Sequence, residues 1–298
     1  MNDLLYKGHF KGLDIAFTYT VATAAVNESV VRHDCDPAAA HVLGRATAAG
    51  LLAAALLPEQ RRLNACWKYE GGLKTVVVDA GNDGTVRSLI SPNHLQDLED
   101  AHEGLYGEKG QLQVITTENG RIVNSGTTPI PLHDAVNDLA YHFSISDQVE
   151  TGMSVMIGFE PDPEKPVALC QGWMIQALPN TDLERFERIR YHMGDFGFRD
   201  LLGHESAADS YFEQIAKVLV GQEPDYKGVH MEACPPPKFK CTCSREKMYA
   251  VLRSIPIPDR MTMVKRKEPV GINCQFCSKH YKMTINECIV AWNQKPAQ

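Results

Sequence analysis

The chain is predicted to adopt an α+β fold: an N-terminal mixed α/β core, a helix-rich linker and a small cysteine-rich C-terminal domain. Three observations predict it. A single long apolar helical pattern is followed by β-rich runs separated by Gly/Asn/Asp/Pro turns as far as Leu178. From residue 181 the character changes to charged, helix-prone stretches. Three consecutive prolines, Pro235, Pro236 and Pro237, then make a stiff break before closely paired cysteines. The boundaries this implies are 1–180 for the core, 181–237 for the linker and 238–298 for the C-terminal domain. With 298 residues, 44% of them apolar, the chain can fill a sizeable core.

The opening "LDIAFTYTVATAAV" has strand character. In "DPAAAHVLGRATAAGLLAAALLPEQ", Asp36 is a suitable N-cap, Pro37 suits the first helical position and Pro58 stops the run. Apolar residues at 39, 42, 43, 46, 49, 53, 56 and 57 form a helical stripe. Gly44 and Gly50 permit a neighbour to approach closely. "LKTVVVDA", "TVRSLI", "QLQVITT", "SVMIGFE" and "PVALCQGWMIQAL" read as strands, with a helical "LHDAVNDLAYHF" among them. "DLERFERIRYHM" and "DSYFEQIAKVLV" read as helices of a connecting region rather than of a further compact domain. No internal repeat is present.

The N-terminus has no basic stretch leading into an unbroken apolar run, so no signal peptide is expected. The apolar run at 46–57 is flanked by Arg45 and Pro58 and is expected to be too short for a bilayer. A cytoplasmic location follows as an expectation. Nine cysteines, five of them between 234 and 277, argue against a secreted disulfide scaffold and for metal binding or redox chemistry. The net charge of −7 hides a split. Residues 238–298 hold 12 Lys and Arg against 4 acidic residues, a net of +8, which leaves −15 for residues 1–237.

Cys241 and Cys243 form a C-x-C pair, and Cys274 and Cys277 a C-x-x-C pair some thirty residues later. Four thiolates spaced in this way can each supply a ligand to one tetrahedral Zn²⁺, making 238–298 a zinc-binding domain. One metal would then tie residue 241 to residue 277 over the helix-like "SREKMYAVLRSI" and organise a domain too small to fold securely alone. Were an oxidant to close Cys241–Cys243 and Cys274–Cys277 instead, each disulfide would tie only near neighbours and constrain little chain entropy. The long-range clamp would be lost. Lys279, His280 and Lys282 after the second pair are expected to favour thiolate there, so that pair is expected to oxidise first.

"FKCTCSRE" followed by "CQFCSKHY" resembles the zinc centre of the heat shock protein 33 family of redox-regulated chaperones. The likeness continues upstream in "LGRATAAGLLAAALL", "GGLKTVVVDAGNDGTVRSLI" and "QGWMIQALP", and so covers nearly the whole chain. It departs at "AYHFSISDQVETGMSV", where relatives commonly carry Glu-Gln-Ser-Glu-Gln after Tyr or Phe. The resemblance implies an ATP-independent holdase, not an enzyme, that is inactive while its cysteines hold one zinc ion per chain. Oxidation would expel the metal, unfold the C-terminal domain and release the linker to bind unfolding client proteins. Cys241, Cys243, Cys274 and Cys277 would be both zinc ligands and the redox-switch disulfides. The family further implies a homodimer in the oxidised state and transfer of clients to ATP-dependent refolding chaperones.

Other residues compete less well. Cys234, Cys288 and His280 lie near the four cysteines, but four sulfurs already complete a zinc site. Cys35, Cys66 and Cys170 suit small core positions, and no His/Asp constellation marks Cys170 as a nucleophile. No phosphate-loop spacing occurs among the glycines. The alternative is a nucleic-acid-binding protein with a purely structural zinc site, suggested by "KRK" at 265–267, although the acidic body would repel a phosphate backbone. A thiol oxidoreductase built on C-x-x-C lacks its βαβ context.

Overall fold

A computed structural model describes residues 2–96, 102–204 and 208–293, and the chain divides into two units, Met1–Lys240 and Cys241–Gln298. The first unit begins with β1 (Leu4–Phe10), β2 (Ile15–Val21), α1 (Thr23–Arg32), α2 (Pro37–Ala55), β3 (Arg61–Tyr69), β4 (Thr75–Gly81) and β5 (Thr85–Ser91). It continues with α3 (His102–Tyr106), β6 (Gly110–Glu118), β7 (Arg121–Pro129), α4 (Ala135–Ser146), β8 (Thr151–Phe159) and β9 (Val167–Ala177). It ends with α5 (Leu183–His192), α6 (Phe196–Leu202), α7 (Ala208–Val220), β10 (Val229–Ala233) and β11 (Lys238–Phe239). The second unit holds α8 (Arg245–Arg253), α9 (Ile257–Arg266), β12 (Val270–Asn273), β13 (His280–Met283) and α10 (Ile285–Asn293). The predicted α+β class is the one adopted.

Two sheets frame the first unit. One is antiparallel with the order β10-β1-β2-β9-β8; the other runs β11-β5-β4-β3-β6-β7, with only β11 parallel to its neighbour. Between them lies α2. It starts as its sequence dictates, the Asp36 carboxylate accepting from Ala39 N–H at 2.7 Å and from Gln96 N–H at 2.7 Å. From Ala46 onward the predicted stripe understates the burial: every residue from Ala46 to Ala55 is buried, because sheets cover opposite sides of the helix. A Cβ on Gly44 would come within 2.5 Å of Ile157, and one on Gly50 within 2.5 Å of Val78, so both glycines do admit close neighbours. At nineteen residues α2 as a whole is long and apolar enough to cross a membrane by length and composition alone, although the run 46–57 is not. It is a core helix instead, 83% of its most apolar window being buried inside the protein.

β2 is buried along its whole length because both of its faces are covered. Its even positions face α2, where Thr18 Oγ1 donates to Leu52 O at 3.1 Å. Its odd positions, Ile15, Phe17, Tyr19 and Val21, join Phe10 and Trp173 in an aromatic cluster capped by α5, α6 and α7. α5, α6 and α7 therefore supply a packed layer, with Phe186, Ile189, Phe198 and Leu202 fully buried. A polar tie adds register: Tyr19 Oη donates to Gln171 Oε1 at 2.9 Å, and Gln171 Nε2 donates to His204 O at 2.9 Å and to Tyr211 Oη at 3.2 Å. The segment at 140–155 that departs from the resembling family forms the end of α4 and the start of β8, with His142 Nδ1 3.0 Å from Thr128 Oγ1.

Candidate metal centre

The first cysteine pair stands on an extended stretch that runs straight into α8. Ser244 caps that helix, accepting from Lys247 N–H at 3.3 Å, and Lys247 Nζ donates to Thr242 O at 2.7 Å, which fixes the short link between Cys241 and Cys243. The second pair stands in the turn of the β12–β13 hairpin. Ser278 N–H donates to Cys274 O at 2.8 Å, Cys274 N–H donates to Lys279 O at 3.0 Å, and Ser278 takes a left-handed φ of 58°. This bend turns both sulfurs to one side.

The four Sγ atoms all lie within 4.8 Å of one another. The close approaches join one sulfur from each pair, Cys241 to Cys274 at 3.7 Å and Cys243 to Cys277 at 3.4 Å. Four sulfurs at about 2.3 Å from a tetrahedral Zn²⁺ stand about 3.8 Å apart, so the donor set and its spacing fit that ion. Among the described residues no other group of His, Cys, Asp or Glu is placed to hold a metal.

The chemistry of the four sulfurs is uneven. Burial opposes ionisation of Cys243, but a hydrogen bond from Tyr281 Oη at 3.0 Å and those from the other three thiols outweigh it and hold its thiol down to about 7. Burial and the neighbouring sulfurs push Cys277 up to about 12, and burial raises Cys241 as well. The thiol held down is therefore Cys243, in the first pair, and not Cys277, which lies nearer to Lys279, His280 and Lys282 in sequence. The reason is contact: Lys279 lies over the Tyr281 ring at 5.3 Å and His280 Nδ1 bonds Asn273 Oδ1 at 2.7 Å, whereas the Tyr281 hydroxyl touches sulfur.

Tyr281 is the site residue that sequence reasoning missed, and its position one residue after the C-x-x-C-S-K-H run carries no distinguishing signal. A second missed feature had one. "TINE" is a capping box: Glu287 N–H donates to Thr284 Oγ1 at 3.3 Å, and Thr284 N–H donates to Glu287 Oε2 at 2.8 Å. Glu287 also takes Arg245 Nη2 at 2.6 Å, tying α10 to α8, and the Thr284 N–H and Arg245 together hold its carboxyl down to about 2.

A family model described as Hsp33 protein matches residues 3–284. The chain belongs to the Hsp33 protein family. It is 30% identical over 291 residues to a 33 kDa chaperonin of Clostridium perfringens, covering 95% of this chain and 89% of that one. A 33 kDa chaperonin of Clostridium botulinum is 28% identical over 295 residues, covering 96% of each. The fold matches the crystal structure of a 33 kDa chaperonin, a heat shock protein 33 homolog, from Thermotoga maritima, with TM-score 0.79, 21% identity and 98% of both chains covered.

The other cysteines stand where small core or edge residues belong. Cys170 is fully buried, its Sγ 3.7 Å from Gly44 O, and burial pushes its thiol up to about 12. Burial, then the charges of Asp36 and Asp34, push Cys35 up to about 12. Burial also raises Cys66, Cys234 and Cys288, so none of the five is disposed to react as thiolate.

Proposed function

We propose that this chain is a redox-regulated holdase chaperone that binds unfolding proteins without nucleotide and keeps them from aggregating. The observation that carries the reading is the four-sulfur cluster in a chain of the Hsp33 family. In the reduced state Cys241, Cys243, Cys274 and Cys277 would hold one zinc ion, which supplies the link from residue 241 to residue 277 that the small second unit lacks. Oxidation would form Cys241–Cys243 and Cys274–Cys277. Each bond takes two electrons from two zinc-bound thiolates; with hydrogen peroxide as oxidant the O–O bond breaks and both oxygens leave as water, taking up two protons from solvent. Without thiolates the metal leaves, the second unit and the segment 181–237 unfold, and apolar surface becomes available to clients.

The aromatic cluster of Phe10, Phe17, Tyr19 and Trp173 beneath α5–α7 is the surface this release would bare. No catalytic group is required. The oxidised chain would act as a homodimer and pass clients to ATP-dependent refolding chaperones, in the cytoplasm, where thiols start reduced. The test is light scattering of a heat-unfolded client, with peroxide-treated and zinc-loaded reduced protein compared while a chromophoric chelator reports zinc release. Suppression only after release is expected; equal behaviour of both forms would refute the switch. A second reading, nucleic-acid binding by the basic C-terminal segment, is favoured by its net +8 and would instead give salt-dependent binding by the reduced protein.

A further inference from the structure

The strand β10 is an edge strand held chiefly through its backbone. It lies antiparallel along β1, with Lys7 opposite Glu232, Gly8 opposite Met231, His9 opposite His230 and Phe10 opposite Val229. The ladder runs beyond the strand ends, where Cys234 N–H donates to Leu5 O and Lys11 N–H to Gly228 O, both at 2.8 Å. Antiparallel bonds recur at every second residue, so the N–H groups of Lys7 and His9 face β10 as that of Lys11 does. Side chains add one exposed ring contact, His9 to His230 with centroids 5.1 Å apart, and otherwise contribute little to this grip. Residues 230–233 are exposed, and only Val229 is half-buried, seated against the aromatic cluster. The Lys7–Glu232 ion pair, 3.2 Å long, is solvated and therefore weak. At Gly8 a Cβ would come within 2.0 Å of His230 O, so this edge is shaped for close approach of a backbone.

We propose that β10 is a built-in occupant of an edge meant for clients: when β10 leaves, an extended segment of an unfolding protein adds to β1 as a strand. The inference rests on the holdase reading and names how the client is held. Backbone N–H and C=O groups are the one feature all unfolded chains share, and an edge that binds through them accepts unrelated sequences. The seat of Val229 beside Phe10 favours an apolar residue, and Lys7 favours an acidic residue three positions further on. Departure is easy because an exposed strand with few apolar contacts opens locally at low free energy. Beyond it the chain runs through Pro235–Pro237 and the two-residue β11 to Cys241, so loss of order after Lys240 frees that end.

Amide hydrogen exchange reads the edge directly. A reduced and alkylated, permanently unfolded protein serves as the client, with the full chain oxidised by peroxide. The amides of Lys7, His9 and Lys11 are expected to lose protection on oxidation and to regain it at least tenfold when the client is added. Protection unchanged by oxidation, or absent while client is bound, overturns the proposal, as does protection regained without client when the oxidised chain self-associates, which would make a second copy the occupant. If the oxidised chain retains no client at all, the holdase reading fails first and this proposal with it. His9→Pro removes an edge N–H and leaves the bonds of β1 to β2 intact, whereas His9→Ala keeps the N–H. With zinc content and unfolding midpoint near the parent, His9→Pro should need about tenfold more protein for equal client retention and His9→Ala should match the parent. Equal retention by both overturns the proposal. So does an equal loss in both.

Discussion

The two units are held by different physics. In the first, α2 from Ala46 onward is buried on every side between two sheets and a second apolar cluster lies beneath α5–α7. In the second, α9 buries no residue, and the described apolar interior amounts to Met248, Leu252, Tyr281, Met283, Cys288 and Ala291 beside the buried Cys274 and Cys277. An interior of that size cannot offset the chain entropy of ordering five short elements. The difference teaches where a chemical switch can sit. Oxidation would leave a hydrocarbon core untouched, but under the proposed function it would remove the four donors that staple the small unit to its metal.

The largest effect follows from removing the metal. Chelation of zinc, or Cys277→Ser, should forfeit a contribution on the order of 10 kcal/mol and unfold the second unit. Amide exchange over 241–293 should become fast while the protection of β2 and α2 stays as it was. Retained order in the second unit would break the comparison, since its apolar interior would then be sufficient.

The converse change strikes the first unit. Leu51→Ala in α2 removes a fully buried side chain between the sheets and should cost about 2–5 kcal/mol in denaturant unfolding of that unit. Zinc affinity should not change. A fall in zinc affinity would mean that the two kinds of stability are not separable.

How much of this contrast is legible in the sequence depends on the range of the interactions. Asp36, Pro37 and the apolar run announce α2 because capping and periodicity are local, and the C-x-C and C-x-x-C pairs announce the metal centre because each pair brings its own geometry. The all-round burial of α2 is not local, since it depends on sheets assembled from β1 to β11. β10 and β11 gave no sign for the same reason: they are short, exposed and proline-flanked, and they exist only through partners at Tyr6–Phe10 and Thr85–Val86. Helices α5 and α7 were readable as helices, but what they cover, Phe17 and Trp173, lies far away in sequence. Tyr281 could not be singled out, because contact with Cys243 decides its role.

A smaller test concerns pH. Asp138 is fully buried, and although Leu132 N–H and Asp134 N–H both donate to it at 3.0 Å, burial pushes its carboxyl up to about 6. A carboxyl raised above its unfolded value near 4 stabilises the fold most when protonated, and that contribution is lost as pH rises from about 4 through 6. Asp138→Asn, which keeps an acceptor for only one of the two N–H groups, should lower first-unit stability at every pH but flatten its pH dependence across that window by about 2 kcal/mol. An unchanged slope would assign the pH dependence to other groups.

The finest distinction lies within the metal centre, between a sulfur that is merely present and one held ready. Tyr281 Oη donates to Cys243 Sγ at 3.0 Å and, with the other thiols, keeps that sulfur near 7 against the effect of burial. Tyr281→Phe keeps the ring that packs in the second unit and removes only the donor, so the Cys243 thiol should move up toward its ordinary value. Metal binding must displace any proton the sulfur carries, so the variant should bind zinc about tenfold more weakly near pH 7. The deficit should shrink as pH rises past 9, where parent and variant are both ionised at this position. Competition with a chelator of known affinity, repeated across pH, measures it. A deficit that stayed constant with pH would make Tyr281 a packing residue of the hairpin; a deficit confined to neutral pH would show that the second unit is held by prepared sulfur chemistry where the first is held by burial.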